Sequence, residues 1–570
     1  MRISKSFATL LCLALYISPV QAQAVWQEPP YPQSPTVGIN VEDAWINNGN
    51  QVSRIVSLES RAGKLPNERL CLEIGEGPCD FENSKYRASV NALLGFCVTT
   101  DSIGCVESVS RNGRALTLLG EAGGSTFSGD VSKDLPDGRN VSLWADPEDS
   151  GVKFAVYASM VTNYHKSIKA FRADEFVLTV IPYTSKSGTY RPSESSEKYL
   201  DSQGRWIVQS GGFPPECAWV SAQECGQWAD FPIGQNEIQV SVRVPSSTGS
   251  WFQGRLDSAV FKVEKVSPRV NRLVVSGQPA RVPKIYVAIP KDQQTQAQRD
   301  AQCDSTKVEC FFVDAVGNVR ASYENTPGLL EAYRQAAKDR AVAIQEKWSF
   351  QVSPAFGNKC LTDPSKVHGI VSTNAAVYQG TAPQFSNGSL NYKVSGYHFG
   401  PDGEELIGRY RLIINAETAR CLYGFKTTPA QATVTVTGTA GEQSVATTTV
   451  GEKNGWLYLD AAGFTFSQKN IKVAFSQPQS FRTAAFPGNS VAISAKQKAQ
   501  ISTYMAKASA AKSINCLAYY SSEAGRSLAL ARASAACSLA KKFAAKSKTY
   551  LSAARAPKPG DVGTVAITAK

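Results

Sequence analysis

The chain is poor in the residues that most enzymes work with. Its 570 residues include three His and three Met. His165, His368 and His398 stand far apart, and no H-E-x-x-H occurs, which excludes the common zinc-protease motif. The stretch 124–129 holds Gly and Ser at the wrong spacing for a G-x-S-x-G elbow. Ser195 and Lys198 match S-x-x-K, but the K-S-G at 186–188 comes before them and too close for Ser-Lys catalysis. No P-loop and no G-x-G-x-x-G occurs, so no nucleotide cofactor is implied. Beyond the N-terminus no apolar run reaches the length of a spanning helix. Asp146, Glu148 and Asp149 form the densest acidic cluster, without the spacing or Gly of a calcium loop, and read as a solvated turn. Two carboxylates brought together only in space stay open as a glycosidase arrangement. Catalysis is therefore not identified.

What is present begins with an export signal. Arg2 and Lys5 precede an apolar run over 7–17, Pro19 ends it, and Ala22-Gln-Ala24 is an A-x-A cleavage site. Cleavage is expected after Ala24, with Ala22 the alternative, giving a signal over 1–24 and a secreted or surface-held product. Residues 25–36 are Pro-rich and read as an extended leader.

Setting Cys12 aside leaves twelve cysteines, an even number. Cys71/Cys79, Cys97/Cys105, Cys217/Cys225 and Cys303/Cys310 are local pairs with six or seven residues between them. Zinc ligands pair at shorter spacing, and His is scarce, which argues against metal. Export and even pairing argue for disulfides. Cys360/Cys421 and Cys516/Cys537 are then the remaining pairs by elimination.

The fold class expected is mainly β and multidomain: two or three β-sandwiches, a connecting helix and a C-terminal α/β module. Short strand-like runs with Asn-Gly and Asp-Gly turns place one sandwich over 37–165 and a second over 166–290. The second carries Trp206, Trp219, Trp228 and Trp251 with Tyr183, Tyr190, Tyr199, Phe213 and Phe252. Such a cluster is a sandwich core or, alternatively, a carbohydrate-stacking surface. A connector over 291–348 contains an amphipathic helix of about 20 residues. Thr326 and Pro327 open it, and Leu330, Tyr333, Ala337, Ala341, Ile344 and Trp348 form its stripe. Thr- and Val-rich strands over 349–483, with a hairpin turn at Asp402-Gly403, suggest an immunoglobulin-like unit.

The segment 487–570 differs in charge. It holds 13 Lys and Arg against two acids, Glu523 and Asp561, while the whole chain carries +12, so the rest is close to neutral. Its pattern reads β-α-β-α-β-β, starting from the apolar run 491–493, with helices over 495–508 and 523–545. Ser494 is the expected cap of the first. The second has Leu528, Ala531, Ala535, Leu539 and Phe543 on one stripe.

In that second helix Leu528, Arg532 and Ala533 hold the L-x-x-x-R-A spacing, and the module resembles the OmpA-like domain. The resemblance covers about 15% of the chain and implies peptidoglycan binding, with Arg532 meeting a stem-peptide carboxylate through its planar fork. The family's T-D pair is missing. Tyr519, Tyr520, Ser521 and Ser522 stand there, and Glu523 is the nearest carboxylate, where a helix would start. The whole arrangement also resembles large secreted bacterial β proteins with the same short Cys loops.

These readings converge on an exported, envelope-associated binding or structural protein, held to wall polyanions or peptidoglycan by a basic module. No specific nucleic acid is implied. The alternative is a secreted carbohydrate-binding or carbohydrate-active protein using the aromatic segment.

Overall fold

The computed structural model describes residues 36–42, 52–61, 64–75, 77–190, 198–200, 206–208, 217–303, 316–322, 326–353, 355, 357–361, 363, 366–425, 430–438, 443–450, 452–476, 480–506, 511 and 513–569. The expected signal, the expected leader before Thr36, and Cys310 lie outside them. The chain is mainly β and multidomain: strands make up 53% and helices 15%, in several sheets.

Long strands organise the first two thirds. β1 is Thr36–Glu42, β2 Cys105–Arg111, β3 Asp149–His165, β4 Ala170–Ser187, β5 Ile238–Pro245, β6 Trp251–Ser267 and β7 Val270–Pro290. β8 is Val316–Arg320, β9 Ala343–Val352 and β10 Gly369–Thr373. Strands this long serve more than one neighbour. β7 pairs with β5 over its first part, with β9 in the middle and with β1 at its end. β6 pairs with β9 and β10 first, then with β7, and its register shifts next to Ser258, which sits at φ 55°. A bulge there bends the strand from one pairing set to the next.

The β units expected over 37–165, 166–290 and 349–483 are therefore not separate sheets. Position 165 is the turn of the β3–β4 hairpin, and β2 pairs with β5 across it. β9 spans position 348 and pairs with β4, β6 and β7. Local strand patterns cannot say which distant strand supplies the partner.

The connector helix is also shorter than expected. Among the helices, α1 is Gln296–Cys303 and α2 is Thr326–Tyr333. After α2 the chain turns through Lys338 and Asp339, at φ 53° and 54°. It then continues as β9, where Trp348 and Phe350 are buried. Leu330 and Tyr333 follow a helical step, but Trp348 and Phe350 follow the two-residue step of a strand. The expected stripe joined the two periods.

In the segment expected to be immunoglobulin-like, two sheets face each other. β11 (Ser389–Ser395), β13 (Ala430–Gly438) and β15 (Lys469–Ser476) belong to one; β12 (Ile407–Asn415) and β14 (Trp456–Thr465) belong to the other, beside β10. Tyr392, Val434 and Ile471 meet Tyr410, Leu412 and Leu457 in one core. The turn at Gly403 exists, at φ 89°, and Phe399 bridges Glu405 antiparallel across it, but the strands further out enter opposite sheets. Helix α3 (Ala416–Tyr423) is capped by Asn415, and Cys421 in it bonds to Cys360.

The C-terminal module holds a four-stranded sheet. β16 is Ser480–Arg482, β17 Ser513–Tyr520, β18 Lys548–Arg555 and β19 Val565–Ala569, in the order β16-β19-β17-β18. β17 and β18 run parallel; the other pairs are antiparallel. Helices α4 (Ala495–Ala506) and α5 (Arg526–Lys541) contribute to one core with Ile514, Cys516, Val565 and Ile567. The first strand is thus 480–482, not 491–493. Val491 and Ala492 are exposed and lead into a capping box, in which Ser494 and Gln497 satisfy each other's backbone N–H groups.

The buried face of α5 differs from the expected stripe. Ala529, Arg532, Ala533, Ala536, Cys537 and Ala540 turn inward, while Leu530 and Phe543 stay exposed. The bond between Cys537 and Cys516 fixes the rotation of the helix about its axis, and small residues let it lie close to the sheet.

Candidate functional site

The OmpA-like resemblance rests on Arg532. Its position on the inner side of α5 leaves it 6% exposed. Its Nε donates to the Ser490 carbonyl at 2.9 Å, and a terminal N–H donates to the Gly488 carbonyl. The guanidinium lies 5.6 Å from the ring centroid of Phe486. Burial lowers its pKa, and among the described residues no carboxylate pairs with it. The fork therefore holds the loop 486–490, whose Gly488 sits at φ 47°.

The stretch in place of the family's T-D pair has other partners. Arg482 stacks on the Tyr519 ring at 4.6 Å and pairs with Asp561. The Tyr520 hydroxyl donates to Glu523 at 3.0 Å, and Arg526 pairs with the same carboxylate at 3.0 Å. Glu523 lies in a 3-10 turn ahead of α5.

The other cations of the module among the described residues face water. Lys541, Lys542, Lys546 and Lys548 are all exposed between the end of α5 and the start of β18. Lys496, Lys498, Arg526, Arg555 and Lys558 are exposed as well. The module can thus act as a cationic surface at short and medium range.

Five of the six expected disulfides are formed: Cys71–Cys79, Cys97–Cys105, Cys217–Cys225, Cys360–Cys421 and Cys516–Cys537. Cys310, the expected partner of Cys303, falls outside the described residues. Among the described residues no cluster of His, Cys, Asp and Glu could hold a metal. In the acidic cluster, Asp146 pairs with Arg111 at 2.9 Å, Glu148 pairs with Arg114, and Asp149 accepts from Gly151 N–H.

The aromatic segment faces inward where it is described. Tyr183, Trp219, Trp251 and Phe252 are buried, and Trp228 and Tyr190 are partly buried. The side chains of Trp206, Tyr199 and Phe213 lie outside the described residues.

One arrangement escaped the sequence reading. His398, which stands alone in the sequence, has its Nδ1 2.6 Å from Asp339 Oδ2, and Asp339 Oδ1 accepts from the His398 N–H at 3.0 Å. Arg334 holds the same carboxylate at 2.5 Å. The residues are 59 apart in the chain, so no local motif announces them. The positive φ of Lys338 and Asp339 that shapes the turn is not legible in sequence.

No protein-family model, no curated protein and no solved structure matches the chain. Among the described residues no helix is long and apolar enough to cross a membrane.

Proposed function

We propose that the chain is an exported cell-envelope protein, held by its basic C-terminal module to wall polyanions, with the disulfide-bonded β portion presenting a binding or structural surface. The observation that carries this reading is the exposed cluster Lys541, Lys542, Lys546 and Lys548 in a module that holds nearly all of the chain's net charge. Phosphate polymers and anionic wall groups are the chemistry such a surface attracts outside a cell. Specific recognition of a peptidoglycan stem peptide by Arg532 requires the loop 486–490 to leave its guanidinium first. The lysines need no such change, so they are the primary contact in this reading. A carbohydrate platform on the aromatic segment would need its rings in solvent, and the described ones are mostly buried.

The test is co-sedimentation of the full mature chain with purified sacculi, with and without teichoic acid, over a salt series. Binding should weaken steadily as salt rises. Replacing the four lysines by Gln should abolish it, while Arg532→Lys should leave it nearly unchanged. Binding by the four-lysine variant equal to that of the parent overturns the reading.

A further inference from the structure

The outer edge of the C-terminal sheet does not resemble a strand end that the fold has closed off. Among the described residues, β18 pairs with β17 alone. The pairing runs without a register shift from Ser513 opposite Lys548 to Tyr520 opposite Arg555. Five consecutive residues, from Lys548 to Ser552, are exposed. Tyr550 is 55% and Leu551 47% exposed, in the middle of the strand. Aligned residues of paired strands share a face. Leu551 therefore stands beside Cys516 on the helix side, and Tyr550 beside Asn515 on the open side. Natural edge strands are usually short, bulged or covered, because a long straight edge with apolar side chains invites another strand. β18 has none of these protections within its length. It has only cations at its ends: Lys546 before it, Lys548 at its start and Arg555 at its close.

Those cations choose among occupants. A second copy pairing antiparallel about the strand centre would set Lys548 opposite Arg555 twice, and like charges directly opposite are destabilising. A phosphate polymer would satisfy the cations but leave the row of backbone N–H and C=O groups unused. An extended peptide with acidic side chains satisfies both. Its main chain continues the ladder, and its carboxylates meet the flanking Lys and Arg. The strand is held ready for this, since Cys516, in register with Leu551, is tied to α5 through Cys537. We propose that the free edge of β18 is a docking strand that takes an extended acidic segment of a partner protein by strand addition. This goes beyond the envelope reading and does not depend on it.

The experiment uses the full mature chain and a short fluorescent peptide alternating Glu with Val, followed by anisotropy at moderate salt. Two further probes carry N-methyl groups on one or the other alternate set of amides. Only one set can face β18, so one methylated probe should lose affinity by about tenfold or more while the other binds like the parent peptide. Lys548→Glu with Arg555→Glu, both surface changes, should weaken the parent peptide by a similar factor. Equal binding of both methylated probes overturns the proposal in favour of charge alone. Absence of peptide binding overturns it outright. A dimer in sedimentation equilibrium that the double Glu variant changes would make a second copy the occupant and overturn it as well. Sacculus binding that persists while peptide binding fails leaves the envelope reading standing.

Discussion

The Arg532 side chain donates to the main-chain carbonyl of Ser490, which lies 42 residues earlier, at 2.9 Å. A second N–H of the same guanidinium reaches Gly488. One buried cation thus ties the entry loop of α4 to the inner face of α5. Arg532→Ala should remove both bonds and leave two carbonyls under-satisfied, at a cost of about 2–3 kcal/mol. Limited proteolysis should then cut near Asn489, and urea unfolding should show the loss. Unchanged cutting and an unchanged midpoint would remove Arg532 from this structural role.

The Cys516–Cys537 bond closes a loop with a sequence separation of 21. A loop of that length restricts the unfolded chain by about 3 kcal/mol in the chain-entropy picture. Replacing both cysteines by Ala should lower the unfolding temperature of the module. Mild reductant should do the same to the parent protein and nothing more to the variant.

Glu107 sits among Arg243, Arg272 and Ser241 on the sheet formed by β2, β5 and β7. Burial pushes its carboxyl up, but hydrogen bonds from Arg272, Arg243 and Ser241 outweigh this and hold it at about 2, against an ordinary 4.5. Because the folded value lies below the unfolded one, the stabilisation is complete above about pH 4.5 and is lost as pH falls towards about 2. Allowing for solvent screening, the contribution is about 1–2 kcal/mol. Urea midpoints measured across this window should decline in the parent and flatten in Glu107→Gln. Parallel curves would show that other carboxylates control acid stability.

Lys338 and Asp339 both adopt the left-handed backbone region. For a non-Gly residue this costs roughly 1–2 kcal/mol. Lys338→Gly should therefore stabilise the fold by about 1 kcal/mol or less, since Gly also frees the unfolded chain. Asp339→Gly relieves the same strain but removes the carboxylate that holds His398 and Arg334, and should destabilise. Thermal unfolding of the two variants should move in opposite directions.

What could be read in the sequence was what short stretches of chain decide alone. The local Cys pairs, with few residues between them, can hardly reach other partners, and Ser494 stands where a cap of the first helix of the last module is expected. After the misplaced first strand, the α-β-α-β-β order of the last module follows from its alternating periods, and its charge excess is a matter of composition. The mainly β character came from the same local patterns.

Tertiary structure decided the rest. Strand pairing joins residues far apart, so the expected sandwiches proved to share sheets through β2, β5 and β9. The helix expected through Trp348 ended at Tyr333 because helical and strand periods overlapped in one apolar series, and only burial in β9 separates them. On α5 an Ala-rich surface offers several plausible inner faces, and the bond from Cys537 to Cys516 selects the one that turns Arg532 inward. The sequence could name Arg532 as a residue of interest. Which groups its fork meets depended on a loop 42 residues away, and that is a property of the folded chain alone.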